Sequence, residues 1–149
     1  DFIDAGGLAG TVVEIGLFTS EIKTGAGVYI MAPNSQIWNS TITNFSRNPT
    51  RRIDILMGVS YNDDIDVAQD TLQALMEEDD RVLKDPAPNT MVMSLGASSV
   101  DINMRFWVNN ADYWAVLFDT NKAAKIAIEA AGCSIPYPQQ DVHMHTVDK

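Results

Sequence analysis

The chain has 149 residues, 46% of them hydrophobic and 20% charged, with a formal net charge of −10. That composition is globular and not disordered, the length suits one ordinary domain or two small ones, and the acidity argues against nucleic acid or anionic lipid as direct partners. No apolar run reaches the roughly 18–20 residues a membrane helix needs, no signal-peptide pattern opens the chain, and the single Cys133 excludes an internal disulfide and favours a reducing compartment.

The chain opens mid-pattern and without methionine, and reads as a fragment or a processed product. Its first half is rich in glycine and β-branched residues. Val12, Val13 and Ile15 follow Gly6, Gly7 and Gly10; Val28, Tyr29, Ile30 and Met31 follow Gly25 and Gly27. Ile37, Ile42 and Phe45 continue in short runs broken by Pro33-Asn34 and by small polar residues. Short strands with frequent turn signals predict a small all-β unit, and about fifty residues bury only a thin core. The polar, proline-containing stretch Ser46 to Arg52 separates this unit from a second composition. Residues 1–52 carry four basic and four acidic side chains, whereas 53–149 carry six and sixteen, so the whole net charge resides in the second half.

That second half reads as β-α-β-β-α-β. Ile53, Ile55, Met57 and Val59 alternate with more polar neighbours, which is a strand period. Asp63 or Asp64 caps a helix whose Ile65, Ala68, Leu72, Leu75 and Met76 share one face. Met91, Met93 and Leu95 mark a second strand, and Val100, Ile102, Met104, Phe106 and Val108 a third that is half-buried. A helix follows over about 112–131, with Gly132 placed for a left-handed C-cap and Pro136 and Pro138 forbidding continuation. Residues 142–147 alternate again as a last strand. Two helices among consecutive strands suggest a split βαβ, ferredoxin-like layer.

Candidate sites are few. Gly6-Gly7-Leu8-Ala9-Gly10 lacks phosphate-loop spacing and is followed by strand residues where a helix should open. Asp63, Asp64, Asp66 and Asp70 lack calcium-loop spacing and read as a solvated helix start. His143 and His145 share one strand face, yet no second pair of ligands accompanies them, so no metal or other cofactor is expected. Trp38, Trp107 and Trp114 with the methionines read as core or subunit interface before they read as a ligand pocket. No nucleophile stands with an attendant base, so no catalytic residue is assigned and the chain is not expected to be an enzyme.

Several motifs, in order, carry a family resemblance. They are Gly6-Gly7-x-Ala9-Gly10-Thr11-Val12, Lys23-Thr24, Ala32-Pro33-Asn34, and Asn44-Phe45-Ser46-Arg47-x-Pro49-x-Arg51-Arg52. Gly58-Val59-x-Tyr61, Asp64-Ile65-Asp66, Asp80-Arg81-x-Leu83-Lys84-Asp85 and the stretch 95–142 follow. Their succession resembles the cytoplasmic part of the small-conductance mechanosensitive channel family, from which Lys23 (for arginine) and Ala32 (for isoleucine) are mild departures. The resemblance implies an α+β chain: a small Sm-like or SH3-like β-barrel over 1–48, a ferredoxin-like α/β domain over 49–139, and over 140–149 a C-terminal strand of an oligomeric β-barrel.

It also implies the vestibule of a homo-heptamer on the cytoplasmic side of a bacterial inner membrane, attached through segments outside this chain. Such a vestibule would act as scaffold and filter for ions and small solutes released on hypo-osmotic shock. Arg47, Arg51 and Arg52 are the candidates for the rims of its side portals. Val142, His143, Met144 and His145 are the candidates for the barrel; either Val142, Met144 and Thr146 face inward, or the two histidines do and would meet as charges below about pH 6. The competing reading is a soluble oligomeric ligand- or RNA-binding module built from the same units, which the acidic balance and the lack of an aromatic-basic stripe oppose.

Overall fold

The computed structural model describes residues 1–145. The chain divides into two compact units, the first spanning Asp1–Pro49 and the second beginning at Thr50. The first contains strands β1 (Phe2–Ala5), β2 (Leu8–Ile15), β3 (Thr19–Lys23), β4 (Tyr29–Pro33) and β5 (Ile42–Asn44), with a short helix α1 (Asn34–Trp38). All neighbours are antiparallel, in the order β4-β3-β2-β1-β5. Gly6 and Gly7 close the β1–β2 hairpin at φ +63° and +92°, which residues with a Cβ rarely adopt. Asp4 Oδ1 accepts from the Gly7 N–H at 2.8 Å.

One expectation fails here: Ile37, placed among short strands, lies in α1 and points into the core with Ile3, Ala5, Ile22 and Ala32. A five-residue helix is too short to show a helical period. Asn34 fixes it. Its side chain donates to the Gly16 carbonyl at 2.9 Å and accepts from Ser20 Oγ at 2.7 Å, tying α1 to the β2–β3 turn. Asn44 Oδ1 accepts from the backbone N–H groups of Ser46 (3.1 Å) and Arg47 (3.0 Å), turning the chain after β5. The asparagines of both resemblance motifs therefore act as backbone pins.

The second unit contains β6 (Thr50–Val59), α2 (Ile65–Glu78), β7 (Asn89–Leu95), β8 (Val100–Asn109), a single 3₁₀ turn (Asn110–Asp112) and α3 (Tyr113–Ala130). The sheet order is β6-β8-β7, and β6 pairs antiparallel with β8 along its full length, from Thr50↔Asn109 to Val59↔Val100. Asp64 Oδ1 caps α2 by accepting from Asp66 N–H (2.9 Å) and Val67 N–H (3.2 Å). Gly132 at φ +82° ends α3. One face of the sheet buries Ile53, Ile55, Met57, Val59, Val100, Ile102, Met104, Phe106 and Val108 against Ala68, Leu72 and Met76 of α2 and Val116, Ala124 and Ile128 of α3.

Of the last predicted strand, the described residues 142–145 have no regular structure in the single chain. Residues 133–145 lack regular structure, and the predicted positions Thr146 and Val147 lie outside the described residues. The described second unit is therefore β-α-β-β-α with a three-stranded sheet, short of the fourth strand that a ferredoxin-like layer would have. After α3 the chain is held instead by Asp63, whose carboxylate accepts from Ser134 N–H at 2.7 Å and from Ser60 N–H at 3.1 Å. Pro136 and Pro138 then remove two backbone donors.

Candidate functional site

Because Ile53, Ile55, Met104 and Phe106 face the helices, the alternate residues of β6 and β8 lie on the opposite, open face of the sheet. Register brings Asp54 opposite Arg105, and Leu56 opposite Asn103. Asp54 becomes a hub. Its Oδ2 accepts from Arg52 Nε at 2.7 Å, and its Oδ1 from Arg105 Nε at 2.7 Å and from Asn103 Nδ2 at 3.0 Å. Burial pushes this carboxyl up, but the hydrogen bonds from Arg105, Asn103 and Arg52 outweigh that and hold it below the usual carboxylate range. Two guanidiniums share one carboxylate, which leaves the cluster at +1 in a chain of −10. Asn103 is buried beneath it, and both arginines remain partly exposed.

The sequence-predicted basic residues take different positions. Arg51 and Arg52 sit on opposite faces of β6: Arg51 lies over the Tyr113 ring, 3.6 Å from its centroid, while Arg52 joins the Asp54 hub. Arg47 is exposed in the first unit. Val142, His143, Met144 and His145 are exposed and irregular. Trp38 and Trp114 are exposed and Trp107 is half-buried, so none of the tryptophans belongs to the buried core. Cys133 is buried, and burial, with Asp63 and Asp64 nearby, pushes its thiol up, away from reactive thiolate. Sequence patterning alone does not single out Asp54, Asn103 and Arg105. The alternation of polar with apolar residues over 53–59 and 100–108 is their signal, and it lacks the register that joins positions 49 and 51 residues apart.

A second ion cluster joins the helices. Arg81 binds Asp79 with Nε (3.0 Å) and Nη2 (2.8 Å), and reaches Asp119 with Nη1 at 2.9 Å. The Arg81 hydrogen bonds hold the Asp79 carboxyl below its ordinary value despite partial burial. Both Asp54 and Asp79 thus have folded-state values below their unfolded ones. Their contribution to stability is present above the unfolded value of about 3.9 and lost as pH falls through the depressed folded values. Exposure limits each to at most about 1 kcal/mol. Urea midpoints measured from pH 5 to pH 2.5 should fall, and Asp54→Asn should flatten part of that fall; an equal slope in the variant would contradict the hub.

Residues 1–47 match the family described as mechanosensitive ion channel, beta-domain, and residues 53–135 match mechanosensitive ion channel MscS, C-terminal. The chain belongs to the MscS family of mechanosensitive ion channels. It is 41% identical over 149 residues to the small-conductance mechanosensitive channel of Edwardsiella ictaluri, covering all of this chain and 52% of that protein. It is 35% identical to an MscS family protein of Synechocystis, with 95% and 48% covered. The crystal structure of Helicobacter pylori MscS in its closed state superposes with a TM-score of 0.90 at 25% identity, covering 99% of this chain and 58% of that one. The chain spans about half the length of the curated relatives it matches. None of its helices is long and apolar enough to cross a membrane, among the described residues.

Proposed function

We propose that the chain is the cytoplasmic vestibule of a channel that releases ions and small solutes on hypo-osmotic shock, acting as scaffold and filter. The observation that carries the filter role is the Asp54 hub: a +1 cluster on an open sheet face, within a chain whose net charge is −10. Selection of ions at an opening depends on such local charge more than on the total. In this reading the first unit is an Sm-like barrel and the second a ferredoxin-like domain. Seven copies form a ring, and residues 140–149 of each supply one strand to a shared barrel. The membrane is reached only through segments outside this chain.

Arg47, Arg51 and Arg52 belong to the portal rims. Asp54 moderates them, since it neutralises part of the charge of Arg52. In the full-length channel, replacing all three arginines with glutamine should shift the reversal potential in a salt gradient toward cation preference. Asp54→Asn, which releases both guanidiniums from the shared carboxylate, should shift it toward anions. If neither variant moved the reversal potential, the filter assignment would be wrong.

A further inference from the structure

Beside the Arg81 bridge, the end of α2 and the middle of α3 part to leave a cleft of about 470 Å³, a size within the range of small-molecule sites. Leu75 of α2 and Ala123 of α3 form its apolar walls. Thr120 lies at its base and is only 6% exposed. A helical threonine can return its hydroxyl to the carbonyl four residues back, as Thr71 does to Val67 at 2.7 Å. The Thr120 hydroxyl makes no such bond and has no partner among the described residues, yet it is not sealed off: it opens into the cleft. Hydroxyls this deep are normally satisfied, so its partner comes from outside the chain.

The rim is anionic. Asp79 and Asp119 together hold Arg81, at 2.8 and 2.9 Å, and its guanidinium cancels one of their two charges. Glu78 and Asp80 also line the cleft, and neither carboxylate accepts a hydrogen bond among the described residues. The lining thus sets four carboxylates against one guanidinium, a net −3. Lys84 is close enough to lower Asp79, but its ammonium donates to the Glu77 carbonyl, outside the lining. Residues 61–85 carry nine acidic and two basic side chains, so the surrounding field has the same sign. No three of these carboxylates converge to hold a metal ion, among the described residues. Separated carboxylates are met better by a cation whose charges are spread along a chain than by a point charge.

We propose that this cleft binds a linear aliphatic amine carrying two or more ammonium groups. One ammonium donates to Thr120 Oγ1 and to Asp119, the methylenes lie along Leu75 and Ala123, and another ammonium meets Glu78 and Asp80. Bound in this way, the amine ties α3 to the end of α2 and stabilises the second unit by mass action. The site lies among the helices, on the opposite side of the sheet from the Asp54 hub, and does not depend on the filter role.

Titration calorimetry of the full-length protein with spermidine tests it. At low ionic strength spermidine should saturate one site per chain. Thr120→Val keeps the side chain's shape and should weaken binding about tenfold. It should not lower the denaturation midpoint of the free protein, because the hydroxyl it removes has no partner among the described residues. Glu78→Gln with Asp80→Asn should weaken binding about fivefold. Asp66→Asn with Asp70→Asn, which removes the same charge from α2 outside the cleft, should leave it unchanged. Equal weakening by the two pairs would mean diffuse attraction to an acidic surface and overturn the proposal. So would unchanged affinity in Thr120→Val, or the absence of saturable binding. Magnesium chloride giving the same saturable signal, lost in the same variants, would mean a metal site in its place.

Discussion

Replacing Phe106 with alanine is expected to cost the second unit about 3–5 kcal/mol. Phe106 is fully buried at the centre of β8, opposite Ile53 on β6, and touches the core that both helices share. Its loss removes the transfer free energy of a phenyl ring and leaves a cavity. Neighbours held in a ten-residue ladder cannot collapse to fill it. The denaturation midpoint should fall with an unchanged denaturant slope, since the surface exposed on unfolding hardly changes. Phe106→Leu, which keeps most of the volume, should cost less than half as much. The effect should also reach the open face. Arg105 precedes Phe106 and Asp54 follows Ile53, so a loosened β6–β8 pair loses the register that builds the hub. A cost below about 1 kcal/mol would mean that this core is far less tightly packed than its burial indicates.

Elements with long, regular patterns are legible in the residues themselves. The alternation over Val100–Val108 marks a strand with one buried face, and Gly132 ends α3 where a positive φ is required. The Asp64 cap follows from an aspartate placed just before an apolar face of helical period. Three features are not legible, for distinct reasons. Helix α1 is shorter than two turns, so Ile37 shows no period and passes for a strand residue. The Asp54 hub depends on strand register, which a single sequence does not state; the basic run 51–52 draws attention to its neighbours instead. The terminal strand is expected from alternation and from the resemblance, whereas a strand exists only with hydrogen-bonding partners, and, among the described residues, 140–145 pair with no strand of the single chain. The tryptophans carry the same lesson: their apolar bulk announces burial, but Trp38 and Trp114 keep it for surfaces outside their own unit's core.

In the first unit the largest effect is expected at Gly10, and for a reason unrelated to backbone freedom. Gly7 adopts a positive φ with open space around it, and Gly25 has open space and an ordinary φ. A Cβ on Gly10 would instead lie 2.5 Å from Ile22 Cγ2 and 2.7 Å from the Lys23 carbonyl oxygen. The first neighbour is a fully buried side chain and the second is β3 backbone, so neither yields without moving β3 away from β2. Overpacking of this kind costs about 1–3 kcal/mol, and more with a branched side chain. The unit's buried core comprises only Ile3, Ala5, Ile22, Ala32 and Ile37, so it has little stability in reserve. Gly10→Val should therefore abolish amide protection across residues 1–49 in hydrogen exchange while leaving the protection of β6 and β8 intact. Gly25→Ala should change neither by more than about 0.5 kcal/mol, which separates crowding at one glycine from a general intolerance of side chains. Equal protection in Gly10→Val and the parent would show that β2 and β3 can part without unfolding the sheet.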